Sequence, residues 1–329
     1  MENALLSLQN LTKQFTIDSA KGLKKQRFTA VNDVSFDIGR GEVFGLVGES
    51  GCGKSTLAML VLRLLDATSG SVCYEGEDIM QMSHARLRRI RRNMQVVFQD
   101  PYDSLDPRFN LRRILEEPLL IHRIGTPEER LRRVEALMED VGLPVSLLKR
   151  YPHQLSGGQR QRLCIARALA LSPTFLVLDE AVAALDVSIQ SQILNLLLDL
   201  KDEFNLTYLF ISHNLAVVKF ISDRIGVMYF GRIVELADKE ELFRRVQHPY
   251  TCALLSAVPE PDPDAVRRRE ILRSGVPSLI NPPSGCAFHP RCRYATEECR
   301  RTVPELRDVG GGHLVACHRA GIAGGEVTE

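Results

Sequence analysis

The chain has 329 residues, enough for one large domain with an appendage or for two modest domains. Its apolar (44%) and charged (25%) fractions are those of an ordinary globular protein, and a formal net charge of +1 gives no general pull toward nucleic acid or anionic lipid. No apolar run approaches the roughly 18 residues of a membrane span, and the N-terminal MENALLSLQN lacks the basic start and apolar core of a secretory signal, so a cytosolic location is expected.

In chain order, Val43 to Val47 (VFGLV) predicts a buried strand and Thr56 to Leu65 the helix after it. In the basic stretch Arg86 to Arg92, Leu87 and Ile90, with Met94 beyond, fall at i, i+3 and i+7. That spacing predicts a helix with a solvated basic face rather than a nucleic-acid patch. Gln95 to Phe98 is a second strand. From about 110 to 172 no strand-like run occurs, and Leu131, Val134, Leu137, Met138 and Val141 keep helical spacing, which predicts an all-helical insertion. Phe175 to Leu178 and Thr207 to Ile211 are two more short, apolar, strand-forming runs. Such runs alternating with helices imply an α/β fold with parallel central strands.

Composition changes near residue 246. Seven of the 16 prolines lie between His248 and Pro283, which rules out long helices and central strands and predicts a loop-rich appendage. Its apolar content is thin for an independent core, and a metal staple would help. The run Arg267-Arg268-Arg269 sits among Asp262, Asp264 and Glu270 and reads as solvated surface. Cys52, Cys73, Cys164 and Cys252 are scattered, whereas Cys286, Cys292, Cys299 and Cys317 crowd into the last fifth. In a reducing cytosol such a local set points to a metal. Its spacing, C-x5-C-x6-C-x17-C, matches neither the short pairs of zinc ribbons nor the ferredoxin run, so spacing alone does not choose the metal.

Gly48-Glu49-Ser50-Gly51-Cys52-Gly53-Lys54-Ser55 fits G-x-x-x-x-G-K-S/T between a predicted strand and a predicted helix, with Thr56 next. Glycines let successive backbone N–H groups curl around phosphates, the helix N-terminus adds partial positive charge, Lys54 neutralises phosphate oxygens and Ser55 can ligate Mg²⁺. Asp179 and Glu180 end the strand at Phe175. Asp179 is placed to hold Mg²⁺, and Glu180 to polarise an attacking water. Leu155-Ser156-Gly157-Gly158-Gln159 opens a further helix, Arg160 to Leu171, and makes a second anion nest with no lysine of its own. Two phosphate half-sites in one chain imply a nucleotide sandwiched between two such chains.

With these motifs, residues 4 to 245 resemble the ATP-binding cassette (ABC) family. The resemblance implies an α/β P-loop NTPase fold: a RecA-like core, an antiparallel β subdomain and a helical subdomain over about 100–172. It implies ATP and Mg²⁺ as ligands. It assigns Gln99 to sensing Mg²⁺ and γ-phosphate, His213 to gripping the γ-phosphate and ordering Glu180, Asp186 to communication across the dimer, and Phe15 to stacking on adenine, with Phe28 a competing aromatic. Where the related subfamily has Glu-Pro-x-Ser-Ala-Leu-Asp, this chain runs Glu180-Ala181-Val182-Ala183-Ala184-Leu185-Asp186. It therefore lacks a hydroxyl that could bond across the dimer.

The stretch FQDPYDSLDPR from Phe98 to Arg108, His248-Pro249-Tyr250-Thr251, and Gly285-Cys286-Ala287-Phe288-His289-Pro290-Arg291-Cys292 look like the oligopeptide/dipeptide-type importer subunits. That resemblance covers nearly the whole chain and implies a cassette over 1–245 and a small, loop-rich C-terminal metal-binding domain over 246–329. In that subfamily the C-terminal cysteines hold a 4Fe–4S cluster. Structural zinc using His289 or His318, or four unconnected thiols, are the alternatives. Implied partners are two transmembrane permeases, a second ATPase that is a paralogue, and an extracytoplasmic solute-binding protein, with no nucleic acid. The implied place is the cytoplasmic face of the inner membrane and the implied cargo is a peptide, nickel or a related small solute.

Overall fold

The computed structural model describes residues 4–18, 25–256, 275 and 277–322. The arginine run at 267–269 and the prolines at 259, 261 and 263 lie outside the described residues. In chain order the elements are β1 (Ala4–Asp18), β2 (Lys25–Gly39), β3 (Val43–Val47), α1 (Lys54–Val61), β4 (Ser69–Tyr74), β5 (Glu77–Asp78), α2 (His84–Ile90), β6 (Met94–Val97), α3 (Pro101–Ser104), α4 (Leu111–Ile121), α5 (Pro127–Asp140), α6 (Gly157–Leu169), β7 (Phe175–Asp179), α7 (Val187–Phe204) and β8 (Thr207–Ser212). They continue as α8 (Leu215–Ile221), β9 (Arg224–Tyr229), β10 (Arg232–Asp238), α9 (Lys239–Arg244), α10 (Pro249–Ser256), α11 (Glu297–Arg301), β11 (Arg307–Asp308) and β12 (Leu314–Val315). The chain divides into two compact units, one of residues 1–38, 43–81 and 212–329, the other of residues 39–42 and 82–211.

The first unit contains an antiparallel sheet in the order β2-β1-β4-β5, with Leu6 opposite Tyr74 and Leu8 opposite Val72, all four fully buried. It also contains β3, which pairs in parallel with β9; β9 pairs antiparallel with β10, and β12 and β11 follow. All five residues of β3 are buried, as expected for a strand covered on both faces. Its glycine has a packing reason: a Cβ on Gly45 would lie 2.4 Å from Val218 Cγ1 and from Ser222 Oγ, where α8 covers the strand. The C-terminal residues join this unit through a buried carboxylate. Glu235 of β10 is fully buried and accepts from Gln247 N–H (2.7 Å), His248 N–H (3.1 Å) and His313 Nε2 (2.8 Å). A buried carboxylate with three donors avoids the cost of an unpaired charge.

The second unit has β7 between β6 and β8, all parallel, with Val96 opposite Val177 and Val177 opposite Leu209. Its only elements between 100 and 172 are helical. Val134, Leu137 and Met138 of α5, and Val141 after it, are fully buried against α4 and α6, as their spacing predicts. Thr126 starts α5 with a complete capping box to Glu129 and with Pro127 in the first turn.

Three boundaries differ from the sequence expectations. Helix α1 ends at Val61, because Arg63 takes a left-handed φ of 47° and the Leu64 and Leu65 amides fold back on Met59 O at 2.8 and 3.2 Å. Helix α2 ends at Ile90 and Met94 belongs to β6, so Leu87 alone is deeply buried on that helix, while Arg86, Arg88, Arg89 and Arg92 are exposed. Helix α6 begins at Gly157 rather than Arg160, since Ser156 caps it. Strands β9 and β10 were not among the sequence expectations; each starts on an arginine, Arg224 and Arg232, and Glu235 interrupts the apolar run of β10.

Candidate nucleotide site

The first unit carries the phosphate loop between β3 and α1. Gly51 and Gly53 sit at φ +79° and +112°, conformations that only glycine takes without strain. Close approach adds to this: a Cβ on Gly53 would fall 2.2 Å from Ala30 O, and one on Gly48 2.2 Å from Met228 O. Gly53 caps α1 and contributes no side-chain bond, so the first-turn N–H groups are not claimed by a cap. Lys54 is buried and its ammonium curls over the loop, donating to Gly48 O (2.8 Å) and Glu49 O (3.1 Å). Ser50, Gly51 and Ser55 are exposed and Thr56 half-buried. Burial pushes the Cys52 thiol up, with the Lys54 charge opposing it. A loop that brings backbone donors, an ammonium and a hydroxyl together fits the phosphates of a nucleotide and an attached Mg²⁺.

Phe15 and Phe28 stack on each other, ring centroids 5.4 Å apart. A cavity of about 350 Å³ opens beside the loop, lined by Glu49, Ser50, Gly51 and Cys52 on one side and by Phe28 and Leu279 among its apolar walls. Phe28, not Phe15, reaches that cavity. His213 follows β8, exposed, just before Asn214 caps α8.

The second unit carries the remaining predicted residues. Asp179 ends β7, 8% exposed, and Glu180 follows it, half-buried, at a left-handed φ of 50° with its N–H donated to Ile211 O at 3.0 Å. A non-glycine residue held there stores strain of about 1 kcal/mol. Gln99 is exposed in the turn between β6 and α3. Ser156 accepts from Gln159 N–H (3.3 Å) while the Gln159 side chain accepts from Ser156 N–H (3.0 Å), a closed capping box. Gly157 lies against Leu185, and a Cβ on Gly158 would fall 2.7 Å from Ile189 Cγ2, so α7 dictates that glycine. Asp186 caps α7 without a side-chain bond and is exposed, as is Ala183, while Ala181 is buried. The stretch after Gln99 is tied to α6: the Arg160 guanidinium lies 3.8 Å from the Tyr102 ring centroid, and Arg167 donates to Ser104 O.

Two residues that face the phosphate loop had no role assigned from the sequence. Arg291 makes a two-pronged ion pair with Glu49 (2.7 and 2.9 Å), and Glu49 N–H donates to the Tyr250 hydroxyl (2.8 Å). Both lie in stretches marked by the subfamily resemblance, which was the only available signal.

Cys286, Cys292, Cys299 and Cys317 line one small cavity. Cys286 N–H donates to Cys299 O at 2.8 Å, which ties two of the cysteine segments together. Burial pushes the Cys286 and Cys317 thiols up to about 11, and the neighbouring cysteines add to the rise. Among the described residues no group of three or more His, Cys, Asp or Glu side chains is arranged to hold a metal ion. The expected C-terminal metal centre is therefore not formed by the arrangement of these side chains, although the four thiols share one cavity. His318 is engaged elsewhere, through Thr302 O (2.9 Å) and Glu298 (3.4 Å), and His289 Nδ1 lies 2.9 Å from Cys286 O.

The ABC transporter family profile matches residues 31–183, and that of the oligopeptide/dipeptide transporter C-terminal region matches residues 234–299. A peptide import ATP-binding protein of Brucella ovis is 53% identical over 98% of this chain and 99% of its own length. This chain belongs to the ABC transporter ATP-binding proteins of the oligopeptide/dipeptide kind. The oligopeptide transport ATP-binding protein AppF of Bacillus subtilis is 49% identical over 96% of this ABC protein and 98% of its own length. Among solved structures, the dimeric post-hydrolysis state of the ATP-binding cassette MJ0796 bound to ADP and Pi superimposes with a TM-score of 0.63 at 30% identity. It covers 71% of this ABC protein and 98% of the other chain. Among the described residues no helix is long and apolar enough to cross a membrane.

Proposed function

We propose that this chain is the ATP-hydrolysing motor subunit of a peptide importer, peripheral on the cytoplasmic face of the inner membrane. It would work with two transmembrane permeases, a second ATPase that is a paralogue, and an extracytoplasmic binding protein. The observation that carries the reading is the coexistence in one chain of an uncapped, lysine-bearing phosphate loop and a separate serine-glycine lip at the start of α6. Residues 1–245 are read as the cassette, with its helical subdomain at about 100–172, and 246–329 as the oligopeptide/dipeptide-type C-terminal domain.

In this reading the loop from Gly48 to Thr56 holds the phosphates and Phe15 or Phe28 the base. Stacking on the base contributes about 1–3 kcal/mol. Ser55, Asp179 and Gln99 would hold Mg²⁺, which when bound neutralises charge on the phosphate oxygens. Glu180 takes the proton of the attacking water, and His213 positions it and contacts the γ-phosphate. The partner subunit's lip, equivalent to Ser156, Gly157, Gly158 and Gln159, closes the pocket, and Asp186 signals across the seam. Closure draws the helical segments together, and the stretch from Gln99 to Arg108 passes that motion to the permeases. Glu180→Gln is expected to keep ATP binding, trap a closed dimer and lower turnover by about 10²–10⁴-fold. Undiminished ATPase activity in that variant would remove Glu180 from the role.

The same resemblance supports a 4Fe–4S cluster on Cys286, Cys292, Cys299 and Cys317, where it would supply a structural cross-link between the cysteine segments. The shared cavity favours it over unconnected thiols, and the hydrogen bonds of His318 weigh against a zinc site that uses that ring. Anaerobically purified protein should be brown and contain iron and sulfide. A colourless protein with one zinc per chain would overturn the cluster.

A further inference from the structure

The phosphate loop is glycine-rich, and its order must come from what surrounds it. Glu49 is its only charged residue besides Lys54, and a carboxylate beside a nucleotide's phosphates repels them. Glu49 does not stand alone. Both its oxygens accept from Arg291, whose side chain is 6% exposed, and its backbone N–H donates to the fully buried Tyr250 hydroxyl. These partners are stiffly held. Arg291 N–H donates to Phe288 O (3.0 Å) in the turn between Cys286 and Cys292, and its guanidinium lies 5.9 Å from the Tyr229 ring centroid. The Tyr250 ring packs at a tilt against Tyr229 (centroids 4.6 Å apart) and Phe288 (5.5 Å). The segment Pro277 to Ile280 closes the far wall of the cavity beside the same loop.

We propose that Arg291 and Tyr250 are positioning residues for ATP: they fix Glu49, neutralise its charge and preorganise the phosphate loop, making the C-terminal region part of the nucleotide site. Preorganisation raises affinity by removing the ordering cost from the binding step. The pair therefore acts on ATP affinity rather than on the chemical step, which belongs to Glu180. The inference rests on the reading of the loop as an ATP site.

The test uses the full chain and two readouts. The first is hydrogen exchange of the Gly48–Ser55 amides without nucleotide. Arg291→Ala should speed it severalfold while the β3 and β9 amides keep their protection; unchanged exchange in the loop overturns the proposal, whether or not the chain binds ATP. The second is titration with trinitrophenyl-ATP, where Arg291→Ala should weaken binding by roughly tenfold and Arg291→Lys by less, since lysine restores charge without the fork. Glu49→Gln in the Arg291→Ala background should cost nothing further and recover part of the loss, because it removes the carboxylate left unpaired beside the phosphates. Multiplying effects, or wild-type affinity in Arg291→Ala, overturn the proposal. Tyr250→Phe, which keeps the ring and loses only the acceptor, should weaken binding modestly even if Arg291→Ala folds poorly; wild-type affinity and loop exchange in Tyr250→Phe would remove Tyr250 from the role. In the assembled transporter the KM for ATP should rise with kcat within about twofold, whereas a fall in kcat alone contradicts a positioning role. A wild-type chain with no affinity for the probe would overturn the ATP reading, and the exchange comparison would still decide the clamp.

Discussion

Two helix starts in this molecule look alike on paper, a glycine-rich turn with a serine ahead of α1 and another ahead of α6, and the structure builds them on opposite principles. At α1 the cap is Gly53, with no side chain to occupy the helix's own donors, and the loop is shaped by left-handed glycines. At α6 the cap is Ser156, which closes a reciprocal box with Gln159, and neither Gly157 nor Gly158 has a positive φ. The first start leaves its donors for a ligand and borrows rigidity from Arg291 and Tyr250. The second is self-contained, with Ser156 exposed and Gly157, Gly158 and Gln159 half-buried, and its glycine at 158 answers to Ile189 rather than to an anion. In the proposed function the first is the binder and the second the lip offered to a second chain.

The sharpest way to break that comparison is to remove the side chain that defines each start. Lys54→Ala should weaken ATP binding by the lone chain by roughly 10- to 100-fold, the scale of charge-assisted hydrogen bonds. Ser156→Ala should leave binding by the lone chain within about twofold while lowering ATPase activity of the assembled pair. Equal losses in the lone chain would make the two starts equivalent.

A smaller effect separates the glycines. Gly158→Ala should cost about 1–3 kcal/mol by overpacking α6 on α7, and Ile189→Ala in the same chain should recover much of it. Gly53→Ala should gain no such recovery from trimming Met228, whose Cε lies 2.9 Å from the new Cβ, since the Ala30 carbonyl at 2.2 Å and the φ of +112° remain. Thermal unfolding of the singles and the doubles reads both.

The smallest effect probes the support behind the first start. Burial lowers His248 from 6.5 to about 4, with Glu235 opposing, and its Nδ1 accepts from Tyr250 N–H at 3.0 Å. Protonating that nitrogen sets two donors against each other. Because the unfolded chain takes up the proton first as pH falls, the stability this ring provides is complete above pH 6.5 and is lost progressively between pH 6.5 and about 4. His248→Gln keeps an acceptor and cannot titrate. Its stability should fall less steeply over that window, by about 1 kcal/mol at one pH unit below 6.5. Parallel pH profiles would rule out His248 as the group responsible.

These contrasts also mark what the sequence could say. Strands β3, β7 and β8 and the helices from α4 to α6 were legible because burial on both faces, or one apolar helical stripe, leaves a local signature. Lys54, Ser55, Asp179 and Glu180 could be nominated from the sequence because phosphate chemistry requires particular residue types at fixed spacing. Strand β10 was obscured by Glu235, a charge in mid-run, one of whose three partners, His313, lies 78 positions later. The pairing of Glu49 with Arg291 spans 242 positions and breaks no local rule, so nothing in either neighbourhood announced it. The sequence left Phe15 and Phe28 as rival aromatics, and only the folded strands show which of them lines the cavity.

The dependence of Glu235 on His313 has a further consequence for how the polypeptide is made. Until the ribosome has released the last stretch of the chain, the outer edge of β10 lacks β12 and its carboxylate lacks the imidazole. A nascent or prematurely terminated product would thus display an open strand edge and a carboxylate short of one of its three donors, and an open edge is a template for pairing with other chains. Completeness at the carboxyl end becomes a licence for the motor to survive.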